Sequence, residues 1–274
     1  MSRSAQRVQL TRAYVLHQRP FRDSSLIVEV FAREHGRMTV FARAARGPRS
    51  RFALLQPFRA LLLSWSGRGE APALTGAENA EGAPALPAAS LMSAFYLNEL
   101  LLKLLTRHDP HPQLFDQYEA TLARLRVATK SGAGVADVMA VADVAPAAVA
   151  AANAAATAEV ALRRFEARLL EFIGYGLNLA AEADTGHPVR GDAFYHFQPG
   201  VHGVVIAEPG SPRAIGGRVL QRLAAGGAFE GESDLRQARA LMRAALDHCL
   251  EGRELHTRTV ARSLLSYPRR ERTG

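Results

Sequence analysis

Between Arg33 and Arg59 the chain reads REHGRMTVFARAARGPRSRFALLQPFR, with seven arginines and a single acid, Glu34. Phe41, Phe52 and Phe58 are interleaved with that charge, and Phe31 lies just upstream. Guanidinium groups fork onto phosphates and aromatic faces stack on bases, so this mixture suits a groove for single-stranded nucleic acid. Arg37, Arg43, Arg46, Arg49 and Arg51 are the candidate phosphate contacts, and Phe41 is the candidate stacking ring. A strand pair with a solvated basic face accounts for the same segment without a ligand, and a strand phenylalanine is at least as often a core residue. Both readings stand for the segment taken by itself.

Catalytic chemistry is harder to assemble. Nine His are present, none in an HExxH pattern, and the chain has neither a GxSxG elbow nor a GxxxxGK[ST] phosphate loop. Ser64-Trp65-Ser66-Gly67-Arg68-Gly69 has glycines without the lysine of a phosphate cradle and reads as a hairpin turn. Asp109 and Asp116 read as solvated or capping residues. His187, His196 and His202 with Asp184 and Asp192 match no zinc-module spacing, so neither metal nor cofactor is expected. Leu162-Arg163-Arg164-Phe165-Glu166 sets adjacent cations on an amphipathic helix. They are either the charged flank of a core helix or, beside an exposed apolar pocket, a hold for an acidic peptide tail or its terminal carboxylate.

The elements that must position these residues change character near residue 82. Candidate strands are 12–17, 26–31, 37–43, 58–65 and 71–78, punctuated by Gly36, Gly47-Pro48 and Gly67/Gly69. Five short strands in about 75 residues fit a small closed barrel; an OB-fold and an SH3-like barrel both match. From Pro87 the apolar period becomes helical. Helices are expected from Leu91, with Ser90 as N-cap, then over about 112–127, 158–173 (stopped by Gly174 and Gly176), 214–225, 233–250 and 256–266. The Ala-rich stretch 131–157 reads as an extended loop or a loose helix. Residues 178–213 read as loop with one strand at 203–207, and the tail with Arg269, Arg270 and Arg272 as frayed. The fold class is therefore α+β: a barrel over 1–82, then a helical domain over 83–274 with a short irregular insertion at 178–213.

Charge follows the same division. Residues 1–60 carry a net +9, residues 61–219 a net −4 and residues 220–274 a net +3, within +8 for all 274 residues. A polyanion is the natural partner for the N-terminal part. Because 32 of the 34 basic residues are Arg, the clustering carries the inference and the residue type does not. Cys249 stands alone, which excludes an internal disulfide and a multi-Cys zinc site. The N-terminus lacks an apolar signal core and the longest uncharged stretches are too short and too Ala-rich to span a bilayer, so no membrane is expected and a cytoplasmic location is.

Several stretches together resemble the bacterial DNA repair protein RecO family. They are Tyr14-Val15-Leu16-His17, Arg19-Pro20-Phe21, Ser24-Ser25-Leu26, Val30-Phe31, Gly36-Arg37, Phe41-Ala42-Arg43-Ala44-Ala45-Arg46, Leu55-Gln56-Pro57-Phe58 and Gly67-Arg68-Gly69-Glu70. In the helical part they are Tyr96-Leu97-Asn98-Glu99-Leu100-Leu101, Leu162-Arg163-Arg164-Phe165-Glu166 and Gly174-Tyr175-Gly176-Leu177-Asn178-Leu179. Their order over 12–180 is the specific signal, with weaker similarity towards Arg262.

The resemblance implies an N-terminal OB-fold, a helical domain and no catalytic activity. It implies binding to single- and double-stranded DNA, annealing of complementary strands, and work with RecR, and in many bacteria RecF, to help RecA replace the single-strand binding protein SSB. It also implies a nucleoid-associated location and docking of the SSB C-terminal tail on the helical domain, which assigns Arg163 and Arg164 to that contact. Two departures stand out. Residues 178–213 hold no cysteine, so the four-cysteine zinc module of many relatives is not carried over. Ala44 stands where glycine is common, and Ala takes positive φ poorly. Two other function classes fit the residues: an OB-domain nucleic-acid-processing enzyme, and an adaptor whose basic face meets an acidic protein.

Overall fold

A computed structural model describes residues 6–46, 50, 52–80, 82, 84–127 and 146–266; Arg49 and Arg51, Gly47-Pro48, residues 131–145 of the Ala-rich stretch and the C-terminal arginines lie outside them. Five strands, β1 (Gln6–Phe21), β2 (Ser25–Ala32), β3 (Gly36–Ala42), β4 (Leu61–Gly67) and β5 (Ala73–Asn79), close into a barrel in the order β1-β2-β3-β5-β4. That closed five-strand arrangement is the OB-fold alternative of the two barrels the sequence left open. All five expected strands are present.

Period-2 alternation builds the barrel. In β3, Met38, Val40 and Ala42 face the interior with Val28 and Val30 of β2 and Leu61, Leu63 and Trp65 of β4. The long β1 serves two neighbours, pairing β4 with its first half and β2 with its second. It does so through register breaks at Val8/Thr11 and Val15/His17, where an extra residue bends the strand round the barrel.

Tyr14 and Phe31, register partners on the outside of β1 and β2, are nevertheless fully buried. With Leu16, Phe58 and Ala60 they join a second core built by helices α1 (Leu91–Leu104), α2 (Pro112–Val127), α3 (Pro146–Phe172), α4 (Gly217–Ala224), α5 (Gly231–Leu250) and α6 (His256–Ser266). The barrel thus has a core inside and contributes part of another outside.

Three expectations for residues 83–274 need correction. Ser90 holds the N-cap position of α1 as expected but makes no side-chain cap bond: its hydroxyl donates to the Leu125 carbonyl at 2.8 Å, tying the start of α1 to the end of α2. The α3 backbone starts at Pro146 instead of 158, because Ala-rich sequence continues a helix that Val160, Leu162 and Phe165 anchor. The insertion is a four-stranded sheet instead of loop: β6 (Asn178–Glu182), β7 (Phe194–Gln198), β8 (Gly203–Ala207) and β9 (Ile215–Gly216), ordered β6-β8-β7-β9. The expected strand is β8, marked by its Val-Val-Ile run; β6 and β7 are as long but lack such an aliphatic run, and β9 has two residues. Gly174 stops α3 as expected, with φ +84° and amides of Gly174 and Tyr175 donating back to Glu171 and Leu170.

Candidate nucleic-acid interface

The outer face of β1, β2 and β3 is divided between two uses. At one end it docks on the helices. Gly36, in the β2–β3 turn at φ +68°, lies so close to the loop after α1 that an added Cβ would sit 2.1 Å from the Asp109 carbonyl oxygen. The His108 amide donates to the Arg37 carbonyl at 2.8 Å. Around this contact, cations of the barrel meet acids. Glu29 accepts from Arg37 at 3.4 Å, Thr39 at 2.8 Å and Arg107 at 2.6 Å, and the Arg37 guanidinium also donates to the Leu105 carbonyl at 3.1 Å. Arg33 forks onto Asp116 with two bonds of 2.9 Å, which holds that exposed carboxyl below the usual carboxylate range. Arg12 and the Tyr14 hydroxyl both donate to Glu119, at 2.8 and 2.6 Å; burial, then that carboxylate, push the Tyr14 hydroxyl well up. Buried Asn98 completes the joint, donating to the Leu16 carbonyl at 2.9 Å and accepting from Tyr118 at 2.5 Å.

At the other end the same face is open. Register pairs Arg19 with Ile27 and Ile27 with Phe41, and Phe21 follows at the end of β1. Phe21 and Phe41 meet edge-to-face, centroids 5.5 Å apart, both half-buried, and the Arg22 guanidinium sits 5.3 Å over the Phe21 ring. The β1–β2 turn carries Arg22. The β4–β5 loop, with exposed Arg68, runs alongside, since the Phe41 amide donates to the Pro72 carbonyl at 2.9 Å. These two loops and this face are where an OB barrel takes its ligand. Arg43 and Arg46 continue from β3, both exposed. The Arg46 amide donates to the Ser24 carbonyl at 2.9 Å and its guanidinium to the carbonyls of Arg22 and Asp23, so the segment after β3 is laced to the β1–β2 turn. Ala44 adopts φ +50°, keeping the left-handed geometry without glycine. None of Arg19, Arg22, Arg43, Arg46 and Arg68 forms an ion pair with a described residue.

The expected site residues are therefore separated. Phe41, Arg43 and Arg46 gather at the open end, while Arg37 is 16% exposed and engaged in the joint. Arg19, Phe21, Arg22 and Arg68 were not singled out as site residues. Arg-Pro-Phe-Arg ahead of the Asp23-Ser24 turn carries the same basic–aromatic signature as the longer segment and was the signal for three of them.

Arg163 and Arg164, adjacent in sequence, face different spaces. Arg163 is 8% exposed and pairs with fully buried Glu166 at 2.8 Å; Tyr96 donates to the same carboxylate oxygen at 2.7 Å. Burial raises the Glu166 carboxyl above the usual range despite Arg163, and one Glu166 oxygen and the Arg163 Nε have no hydrogen-bond partner among the described residues. Arg163 lines a cavity of about 430 Å³ with Tyr96, Arg239, Arg243, Arg258 and Arg262. Arg164 lines another, of about 690 Å³, between α3, β6 and the end of α4. Among the described residues, no three His, Cys, Asp or Glu side chains gather as metal ligands, and no helix is long and apolar enough to cross a membrane.

An OB barrel whose basic–aromatic face meets no acid among the described residues, joined through a shared core to a helical domain, is the architecture of a nucleic-acid-binding protein. Similarity narrows the class. A family model described as Recombination protein O N terminal matches residues 7–82, and one described as Recombination protein O C terminal matches 88–142 and 148–259. The DNA repair protein RecO of Alkalilimnicola ehrlichii is 43% identical over 97% of this chain and 96% of its own length; that of Thiobacillus denitrificans is 41% identical over 94% and 93%. The chain belongs to the RecO family of DNA repair proteins.

Proposed function

We propose that the chain is a non-enzymatic recombination mediator that holds DNA on the open end of its barrel, anneals complementary strands, and with RecR helps RecA replace SSB on single-stranded DNA. RecF is a further partner in this scheme, and the site of action is the nucleoid. Residues 1–82 act as the DNA-binding unit and 83–274 as the partner-binding unit. The observation that carries the reading is the group of Arg19, Arg22, Arg43, Arg46 and Arg68, without ion pairs among the described residues, on the face of an OB barrel that also bears Phe21 and Phe41. Arg43 and Arg46 contact phosphates; Arg49 and Arg51, just downstream, add to them. Arg37 supports the face from the joint.

The arginine-lined cavity is the candidate hold for the acidic, apolar SSB tail, with Arg163 as its anchor: its Nε lacks an acceptor among the described residues, and Arg239, Arg243, Arg258 and Arg262 line the same space, where a tail carboxylate exchanges with the Glu166, Glu159 and Asp247 partners of Arg163, Arg239, Arg243 and Arg258. Arg164, the other expected tail contact, lines the separate cleft instead.

The test is a DNA titration across salt with the Arg43→Ala/Arg46→Ala double variant. Each neutralised phosphate releases counterions, so the wild type is expected to bind with a steep salt dependence and the variant with a slope lower by about 1 to 2. Unchanged affinity and slope would reject the face. In parallel, Arg163→Ala is expected to weaken SSB-tail binding while leaving DNA binding within twofold; equal losses in both would reject separate sites.

A further inference from the structure

We propose that Phe21 and Phe41, with the Arg22 guanidinium, form a stacking platform for one unpaired nucleobase, which makes the open end of the barrel selective for single-stranded over duplex DNA. The inference rests on the DNA-binding reading above and specifies which form of the polymer this surface takes.

The geometry points to an aromatic ligand. Two large rings remain half-exposed on an outer strand face, although the barrel has an interior core and the other end of the same face is sealed by helices. Their edge-to-face contact at 5.5 Å fixes both rings without covering both. Arg22 lies over the Phe21 ring at 5.3 Å, where a planar, delocalised cation occupies the position that a base would take. A base sliding onto Phe21 exchanges one π contact for another and releases the guanidinium towards the adjoining phosphate. Both arms of the turn are held for this: Arg46 bonds the Arg22 and Asp23 carbonyls, and the Arg46 amide bonds the Ser24 carbonyl. Arg46 is in this sense a positioning residue for the platform as well as a cation near the strand.

The surroundings fit a single strand. Arg19 shares the strand face across Ile27 from Phe41, Arg43 follows Phe41 by two residues, and Arg68 is in the β4–β5 loop that accepts from the Phe41 amide, so cations are at hand for the sugar-phosphate chain of a strand whose base turns inward. In a duplex the bases already stack on each other and are paired, so their faces are closed to Phe21; a duplex meets only the cations. Stacking is also indifferent to base identity, which suits a face that must accept any sequence.

Two kinds of contact leave separate signatures. Removing an aromatic face lowers affinity by a constant factor at every salt concentration; removing a phosphate contact lowers the salt slope. The experiment compares the full chain with Phe21→Leu, Phe21→Ala and Arg43→Ala, on an oligo-dT and on a mixed-sequence duplex of equal length, across a salt series. Phe21→Leu keeps apolar bulk and lacks the π face, so it separates stacking from packing; circular dichroism and melting confirm that each variant is folded. For Phe21→Leu and Phe21→Ala we expect roughly tenfold weaker oligo-dT binding at unchanged slope, with duplex binding within twofold. For Arg43→Ala we expect a lower slope on both DNAs. If Phe21→Leu binds oligo-dT like the wild type, or loses the same factor on both DNAs, the platform is overturned while the arginine result leaves the DNA-binding reading intact. If Arg43→Ala is also without effect, the DNA-binding face itself is misplaced and both fall.

Discussion

Arg37 and Arg43 lie six residues apart, on and just after the same strand, and the fold gives them opposite roles. Arg37 is nearly enclosed, with a carboxylate and a carbonyl as partners; Arg43 is exposed and meets no acid among the described residues. The same division runs across the face. At the closed end Arg12, Arg33 and Arg37 meet Glu119, Asp116 and Glu29, and Tyr14 and Phe31 are sealed beneath α2. At the open end Arg19, Arg22 and Arg68 have no such acids among the described residues, and Phe21 and Phe41 keep part of their rings in solvent. Residue type and strand face are shared by both ends. What separates them is whether a carboxylate, from β2 for Arg37 and from α2 for Arg12 and Arg33, and an apolar lid lie alongside, because a cation paired with a local acid has little charge left for a phosphate.

The sharpest way to break the comparison is to force the closed end apart. Gly36→Ala places a methyl against the Asp109 backbone at a positive φ, and neither the turn nor the loop is a flexible side chain that can move aside. A loss of about 3 kcal/mol or more in denaturant unfolding is expected. A loss below about 1 kcal/mol would show that the joint yields easily, and the two ends would then differ less than their contacts suggest.

A paired exchange comes next in size. Arg37→Ala removes one of three donors to a half-enclosed carboxylate and is expected to lower stability by about 1 to 2 kcal/mol while oligo-dT affinity stays within twofold. Arg43→Ala is expected to leave stability within about 0.5 kcal/mol and to weaken binding. If the two variants exchange phenotypes, the open and closed ends have been assigned the wrong way round.

Much of this was legible in sequence, and what was hidden has physical causes. The five barrel strands showed because Val28, Val30, Met38 and Val40 alternate with outward residues, and the helical face of 91–105 showed through its leucines. The basic–aromatic segment showed too. Hidden was the division between Arg37 and Arg43, since a strand pattern records which side a residue faces and nothing about what later covers that side. Glu29, Asp116 and Glu119, which neutralise the closed end, come from β2 and α2 and have no local signature. The sheet of the insertion was hidden because β6 and β7 lack the Val-Val-Ile run that marks β8 at equal length, β9 has two residues, and all three depend on partners distant in sequence. Ser90 misled for a related reason. A serine before an apolar run suits a cap, yet its hydroxyl is claimed by a carbonyl 35 residues away.

A smaller effect links the closed end to acidity. Glu99 of α1 accepts from the amides of His256 and Thr257 at 2.7 and 2.9 Å and from the Thr257 hydroxyl at 2.7 Å, capping α6 from another helix. Burial alone would raise this carboxyl, but the Thr257 bonds, the His256 amide and Lys103 together hold it below the usual range. The folded state therefore binds this proton less readily than the unfolded chain. The stabilisation is fully present above the ordinary carboxylate pKa and fades as pH falls through and below it. Glu99→Gln is expected to lose about 1 kcal/mol at pH 7 and to converge with the wild type in acid. A constant difference from pH 7 down to pH 3 would remove the ionic part of the cap. Glu166 runs the other way: its carboxyl is raised, mainly by burial, so acid favours its folded form.

The smallest expected effect lies at the edge of the open end. Ala44 holds φ +50° between Arg43 and Ala45, a conformation that places its Cβ near the following carbonyl. Ala44→Gly relieves that strain but adds freedom to the unfolded chain, and the two terms are of similar size. A net gain of at most about 1 kcal/mol is expected, read as a higher denaturant midpoint at unchanged slope. The DNA result is the more telling one. Because Arg46 is laced to the β1–β2 turn through backbone carbonyls, a glycine two residues earlier leaves that lacing intact, and oligo-dT affinity should hold within twofold. A stabilised variant with weaker binding would mean that the strained alanine itself presents Arg43 to the strand, and the open end would then depend on backbone geometry as closely as the closed end depends on Gly36.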